Sequence, residues 1–368
     1  MRVLRYDRPD RTLAPPTLEH IAAPTSSTRV PDRTAGPPTS GASAFSPGLM
    51  ASTDRGPGGS TPLTFSIIIP THARPGSLRA CMEGIAALDL DRERFEVIVV
   101  NDGGPESLDG ILAGLPTDLS VRLLTQPRGG PGSARNAGAA LACGTWLAFI
   151  DDDCVPAPDW LSAFERMFHD GDRRLLGGRV ENALVGNAYS DASERISHFV
   201  YERSRTNGAR EPFFTTNNIS LRADLFHSLG GFATTIPGDT AEDKEFCDRW
   251  RAADLALAHA PDALVRHAHH LTFRRFLRQH FNYGRGILAF RLMRRDRQHH
   301  KLVPEPSTFY LDLVTSPLRA RRNGNRLRAS LLIVAAQLAT AAGAAHQAAR
   351  WPLDRPSHPP RDQHPGRP

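Results

Sequence analysis

Apolar and polar positions change rhythm twice along this chain. From Phe65 onward, short apolar runs too brief for helices alternate with segments of helical spacing, and each run ends in small or acidic residues. Phe65–Pro70, Phe95–Val100, Val121–Thr125 and Trp146–Ile150 are predicted as strands. Ser77–Leu88 and Pro131–Ala142 are predicted as helices between them, the second opened by a proline that a first helical turn tolerates. Continuous rather than alternating apolarity marks strands buried on both faces, so the pattern predicts an α/β fold with a mostly parallel central sheet and helices on both sides.

Beyond Ile150 the alternation fades. Asp159–Phe168 and Ala188–Arg205 read as helices and Leu175–Val180 as extended. The run Phe213–Leu221 precedes a further helix and the Gly230-Gly231 turn, and another helix starts at Ala241-Glu242-Asp243, with Phe246, Cys247 and Trp250 on one face. Residues 1–62, rich in Pro, Ser, Thr, Gly and Arg, bury too little apolar surface to order and are expected to be a disordered leader, with Met50 as an alternative start. Residues 63–155 then form a first half of the folded domain, 156–300 a second half, 301–349 a C-terminal helical extension and 350–368 a disordered tail.

Composition narrows the class of protein. Of 368 residues 40% are hydrophobic, which suits a globular enzyme. The net charge of +6 is uneven: nine arginines and one acid, Asp296, lie between Arg266 and Arg297, a tract suited to phosphate-bearing ligands, to an anionic membrane surface or to a solvated helical face. Phe273, Phe276, Phe281, Tyr283 and Phe290 recur there at helical spacing, so no nucleic-acid partner is expected. The four cysteines at 81, 143, 154 and 247 form no CxxC pair, which indicates neither a zinc knuckle nor a disulfide framework and fits a reducing, cytoplasmic setting. No basic-then-apolar leader is present, and Leu327–Ala349, the most apolar segment, reads as an amphipathic or packing helix.

The chemistry gathers at strand ends. Asp151, Asp152 and Asp153 follow the fourth strand directly, and three adjacent carboxylates need a compensating cation. Thr71 and His72 follow the first strand and Asp102 the second, so these ends meet at the sheet edge where open α/β folds hold ligands. No GxGxxG and no GxxxxGK[ST] is present, which argues against dinucleotide and P-loop sites.

Taken in order, Pro70-Thr71, Val99-Val-Asn-Asp-Gly103, Gly130-Pro-Gly-Ser-Ala-Arg-Asn-Ala-Gly138, Phe149-Ile-Asp-Asp-Asp153 and Glu242-Asp243 resemble a bacterial, non-processive family 2 glycosyltransferase of the GT-A fold, over about residues 64–290. The resemblance implies a Rossmann-like GT-A sheet whose first half binds a nucleotide-sugar and whose second half binds the acceptor. It implies that Pro70, Thr71 and Asp102 hold the nucleoside, with Arg135, Asp151 and Asp152 near base, phosphates and sugar. An ionised Asp102 accepts a ring N–H of uracil, thymine or guanine, and a UDP-sugar is the favoured donor. Asp153 is implied as ligand of Mn²⁺ or Mg²⁺, with His267 as a second ligand for which His269 and His270 compete. Asp243 is implied as general base with Glu242 beside it, its pKa held low by the helix N-terminus, and Asn217 and Asn218 as lining of the sugar and acceptor pocket.

The segment Gln279, Tyr283, Gly284, Arg285 departs from the Gln-x-x-Arg-Trp pattern of processive synthases. That departure argues against polymer extrusion, and the activity the resemblance implies is metal-dependent, single-displacement, inverting transfer to a glycan, lipid-linked or small-molecule acceptor, in the cytoplasm or on the inner membrane face through the basic C-terminal region. A catalytically silent carbohydrate- or membrane-surface-binding protein and a sugar nucleotidyltransferase are the alternatives. The second lacks the basic Gly-rich loop it needs at Thr71–Pro75.

Overall fold

The computed structural model describes residues 5–7, 63–105, 107–169, 171–184, 186–206, 213–238, 240–298, 305–319 and 325–354. Its strands, in chain order, are β1 (Arg5–Asp7), β2 (Phe65–Thr71), β3 (Phe95–Asp102), β4 (Val121–Gln126), β5 (Trp146–Ile150), β6 (Cys154–Pro156), β7 (Arg174–Asn182), β8 (Asn218–Arg222) and β9 (Ala256–His267). The helices are α1 (Pro75–Ala86), α2 (Asp109–Leu112), α3 (Pro131–Ala139), α4 (Trp160–Glu165), α5 (Ala188–Thr206), α6 (Ala223–Ser228), α7 (Glu242–Ala252), α8 (Phe273–Gln298), α9 (Ser307–Arg319) and α10 (Arg326–Asp354).

All the strands join one sheet in the order β1-β4-β3-β2-β5-β8-β7-β9-β6. β1 through β5 are mutually parallel, and the sheet becomes mixed from β8 outward. Side chains of the parallel strands alternate between two cores. Phe65, Ile67, Ile69, Val97, Val99, Ala148 and Ile150 pack toward α1 and α4, while Ile68, Ile98, Val100, Leu147 and Phe149 pack toward α3, α6 and α7. Helices thus cover both faces, as expected for a GT-A sheet. The chain order reverses between β2 and β5, so the crevice beyond their carboxyl ends is the ligand position such sheets favour.

The structure departs from the sequence reading mainly in the second half. β9 runs twelve residues, and Pro261 and Asp262 break its apolar pattern in the middle. Both residues lie at an irregularity where Gly178 pairs with Ala260 but Arg179 with Leu264, and a bulge accommodates a proline that regular pairing excludes. β6, three residues long, was not foreseen. Within the expected leader, Arg5–Asp7 pairs with Leu123–Thr125 as an edge strand; the remaining leader residues up to Pro62 lie outside the described ones. The expected extension comprises α9 and α10, and α10 continues past Arg350 to Asp354, beyond which the expected tail is also outside the described residues.

Candidate active site at the carboxyl edge of the sheet

β5 ends at Ile150 and the acidic triplet turns back at once, with Cys154 N–H bonded to Asp151 O at 3.0 Å. The turn leads into β6, whose Cys154 stands opposite His267 of β9. Asp152 points inward with no exposure and accepts a hydrogen bond from Thr71 Oγ1 at 2.7 Å, tying the end of β2 to the end of β5. Asp153 Oδ1 lies 3.2 Å from His267 Nε2.

Between the two carboxylates sits Arg74, an arginine the motif reading passed over. Its guanidinium donates to Asp153 Oδ2 at 2.7 Å and lies 2.8 Å from Asp152 Oδ1 as a charge pair. Ala73, in the left-handed region at φ 51°, sets the turn that brings Arg74 back over the sheet edge. These surroundings separate the acids. Burial pushes Asp152 up to about 7 against the pull of Arg74. For Asp153 burial also acts upward, but the bonded His267 and the charge of Arg74 outweigh it and hold the carboxyl far below its ordinary value. His267 is raised, since Asp153 overcomes the downward effect of burial, whereas burial and the neighbouring His267 bring His269 down to about 4.

A second acidic group meets the triplet through Arg135. The loop before α3 turns at Gly130, φ 84°, and Pro131 opens the helix. Arg135, 3% exposed, then places one guanidinium nitrogen 2.5 Å from Asp151 Oδ1 and another 2.8 Å from Glu242 Oε1. Next to it, Asn136 clamps Phe232 through both its amide groups, accepting from Phe232 N–H and donating to Phe232 O at 2.8 Å each. Gly132 keeps the approach close, since a Cβ there would stand 3.1 Å from Ala233 O.

α7 starts at Glu242 immediately after Ala241, whose φ of 68° is strained for a residue with a side chain. Burial, with Asp243 adding to it and Arg135 opposing, raises Glu242 to about 7. Asp243 is raised as well, by burial against the counteraction of Lys244 and Arg135. The expectation that the helix N-terminus holds Asp243 low is thus reversed, because desolvation outweighs a terminal dipole worth at most ~2 kcal/mol.

Two expected site residues are engaged inside the protein. Asp102 accepts from Gly129 N–H at 2.7 Å, Gly130 N–H at 2.8 Å and Gln126 Nε2 at 2.7 Å, so it moors the Gly-rich loop at the end of β3. Asn218 accepts from Trp160 Nε1 at 2.8 Å and donates to Arg179 O at 2.9 Å and Ala263 O at 2.8 Å. It is 1% exposed and joins β8 to the β7–β9 bulge rather than facing a pocket. Asn217 accepts from Thr215 Oγ1 at 2.7 Å, and Thr215 is held by Tyr201. Pro70 lies buried in β2 opposite Val100.

The basic tract resolves into separate uses. Arg294 lies 3.0 Å and Arg297 3.2 Å from Asp248, Arg297 also pairs with Glu245, and Arg291 lies 3.3 Å from Glu305. The contacts to Glu245 and Asp248 fasten the end of α8 to α7, so the tract is not one free phosphate-binding surface.

Asp153, Cys154 and His267 bring ligand atoms within 4.8 Å of one another. The donor set fits a hard divalent ion at the first and third positions. Asp153 supplies an ionised oxygen and His267 a nitrogen, whereas the wholly buried Cys154 thiol is pushed well up and stays protonated.

Residues 66–230 match the family model described as Glycosyl transferase family 2. Glycosyltransferase AglE of Haloferax volcanii is 25% identical over 60% of this chain and 72% of its own length. The pre-mycofactocin glycosyltransferase of Mycobacterium tuberculosis is 27% identical over 62% of this chain, which spans about half of that relative, 48%. A mannosyltransferase of Pyrobaculum calidifontis, solved with GDP-Man and Mn²⁺, is similar at 18% identity with a TM-score of 0.49, over 78% of this chain and 80% of its own. The family match gives the chain a Glycosyl transferase family 2 domain at residues 66–230.

Proposed function

We propose that this protein is a metal-dependent, inverting glycosyltransferase that moves a sugar from a nucleotide-diphospho-sugar, with UDP as the favoured nucleotide, to an acceptor hydroxyl. The observation that carries this reading is the link from Asp151 through Arg135 to Glu242, which sets the Glu242-Asp243 pair beside the triplet at the reversal of the sheet. Donor-side and acceptor-side acids then face one crevice, as an in-line displacement requires.

In this reading Asp243 takes the proton of the acceptor hydroxyl. The oxygen attacks the anomeric carbon from the face opposite the diphosphate, the bond from that carbon to the phosphate oxygen breaks, and the nucleoside diphosphate leaves. A raised pKa suits the task, because a base works best when its pKa approaches the operating pH. Asp153 and His267 would hold the cation, which when bound supplies charge neutralisation for the leaving diphosphate. Arg135 acts as a positioning residue: buried and doubly paired, it sets the distance between Asp151 and Glu242. Asp102 contributes to nucleoside binding by shaping the Gly129-Gly130 loop at the end of β3.

The test is Asp243→Asn. Sugar transfer is expected to fall by about 10²–10⁴-fold, the usual worth of a general base, while nucleotide binding measured by calorimetry stays close to wild type. Wild-type turnover in this variant would remove Asp243 from the role.

A further inference from the structure

α10 packs one side against the protein and leaves the other bare. Ser330, Ile333, Ala336, Gln347 and Trp351 are buried on the inner side. There α10 approaches α8 backbone to backbone, since a Cβ on Gly343 would stand 1.9 Å from Phe281 O and one on Gly284 1.9 Å from Thr340 O. On the outer side Leu327, Leu331 and Leu338 are 64%, 61% and 68% exposed, with Val334 between them, and the stripe continues through exposed Ala341, Ala345 and Ala348. These positions advance by alternating steps of four and three, so they form one continuous apolar face, where a helix of a globular protein normally turns such a face to its core. α9 exposes Leu311 at 62% and Leu318 at 47%.

Along the sequence the charge next to this face has one sign. Arg321, Arg322, Arg326 and Arg328 stand at and before the start of α10, Arg319 is paired with Asp312 of α9 at 3.1 Å, and no acid occurs from residue 313 to residue 353.

We propose that the bare face of α10, with the arginine cluster at its amino end, docks onto an anionic lipid surface and lies in the plane of that surface. Apolar insertion and basic attraction are the two signals that together give stable peripheral attachment. Crossing a bilayer would strip α10 from α8 and open the glycine contacts, although its length and composition suffice for a span. Pairing with a second copy is the weaker fit. A parallel pair stacks the arginine cluster on itself, and an antiparallel pair sets the leucine half against the alanine half.

The test is sedimentation of the full chain with vesicles of equal parts phosphatidylglycerol and phosphatidylcholine, and with phosphatidylcholine alone. Binding to the mixed vesicles is expected to be about tenfold or more above that to the neutral ones, and to weaken as salt is raised. The triple variant Leu327→Ser, Leu331→Ser, Leu338→Ser should keep the wild-type melting temperature, these side chains being exposed, and lose binding to both vesicle types. Arg326→Gln with Arg328→Gln should lose only the preference for anionic lipid. Failure to bind mixed vesicles, or binding unaffected by either variant, overturns the proposal. So does a dimer in light scattering that the leucine variant converts to monomer. None of these readouts depends on glycosyl transfer, so the proposal stands or falls apart from the reading of the active site.

Discussion

Asp153 and Asp243 are the same side chain, one just beyond β5 and one in the first turn of α7, and their surroundings drive them in opposite directions. Asp153 has His267 and Arg74 against its oxygens and is held far below the ordinary carboxylate range. Asp243 is pushed up by burial, against the charges of Lys244 and of Arg135, which itself pairs with Glu242 and Asp151. Carboxylates whose environments separate their pKa values divide the chemical work, one remaining an anion for a cation to meet and one ready to accept a proton.

The contrast breaks most severely at Arg135, where both acidic groups meet. Arg135→Gln leaves Asp151 and Glu242 without their shared cation, and removing one partner of a buried ion pair costs about 3–5 kcal/mol, read as a lower denaturant midpoint. A midpoint unchanged from wild type would mean that the two groups are not coupled through this residue.

The next effect is on pH, and it has two signs. Since Asp243 must be ionised to act and is raised, kcat/KM should fall roughly tenfold per pH unit on an acid limb lying above the ordinary carboxylate range. Stability runs the other way. Glu242 moves from 4.5 unfolded to about 7 folded, so the native state binds the extra proton. Its contribution is fully present below the unfolded value and is lost as pH rises through about 7, which urea midpoints across that window measure. An acid limb at the ordinary aspartate value would contradict the buried-base half of the comparison.

The smallest effect is at Arg74, which is 46% exposed and therefore screened. Arg74 places its charge on the carboxylates a divalent ion would meet, so Arg74→Gln should tighten Mn²⁺ binding without nucleotide by a few-fold, read by paramagnetic resonance. Weaker binding would show that Arg74 supports the cation site rather than competing for it.

The parallel half of the fold was readable because its strands carry short, largely apolar runs such as Ile67–Ile69, Val97–Val100 and Trp146–Ile150, and β5 has the predicted bounds. The mixed half was not, because its pairing depends on irregularities: Pro261 and Asp262 disguise β9, and three-residue β6 carries no periodic signal. At the site the acids, Arg135 and His267 were legible as motifs, while Arg74 was not. Nothing in Thr71-His-Ala-Arg-Pro75 announces that Arg74 folds back over two carboxylates, although three adjacent aspartates already called for a cation. Nor does Thr215-Thr-Asn-Asn218 reveal that the second asparagine is consumed by Trp160 and two backbone carbonyls, since only the position of α4 and the bulge decides it.

The most direct measurement of the division between Asp153 and Asp243 is calorimetric titration of UDP in the presence of Mn²⁺, and again with EDTA, into Asp153→Asn and Asp243→Asn. The account predicts that Asp153→Asn abolishes the metal-dependent part of binding and that Asp243→Asn retains it while losing transfer. Metal-dependent binding that survives in Asp153→Asn and disappears in Asp243→Asn would contradict it.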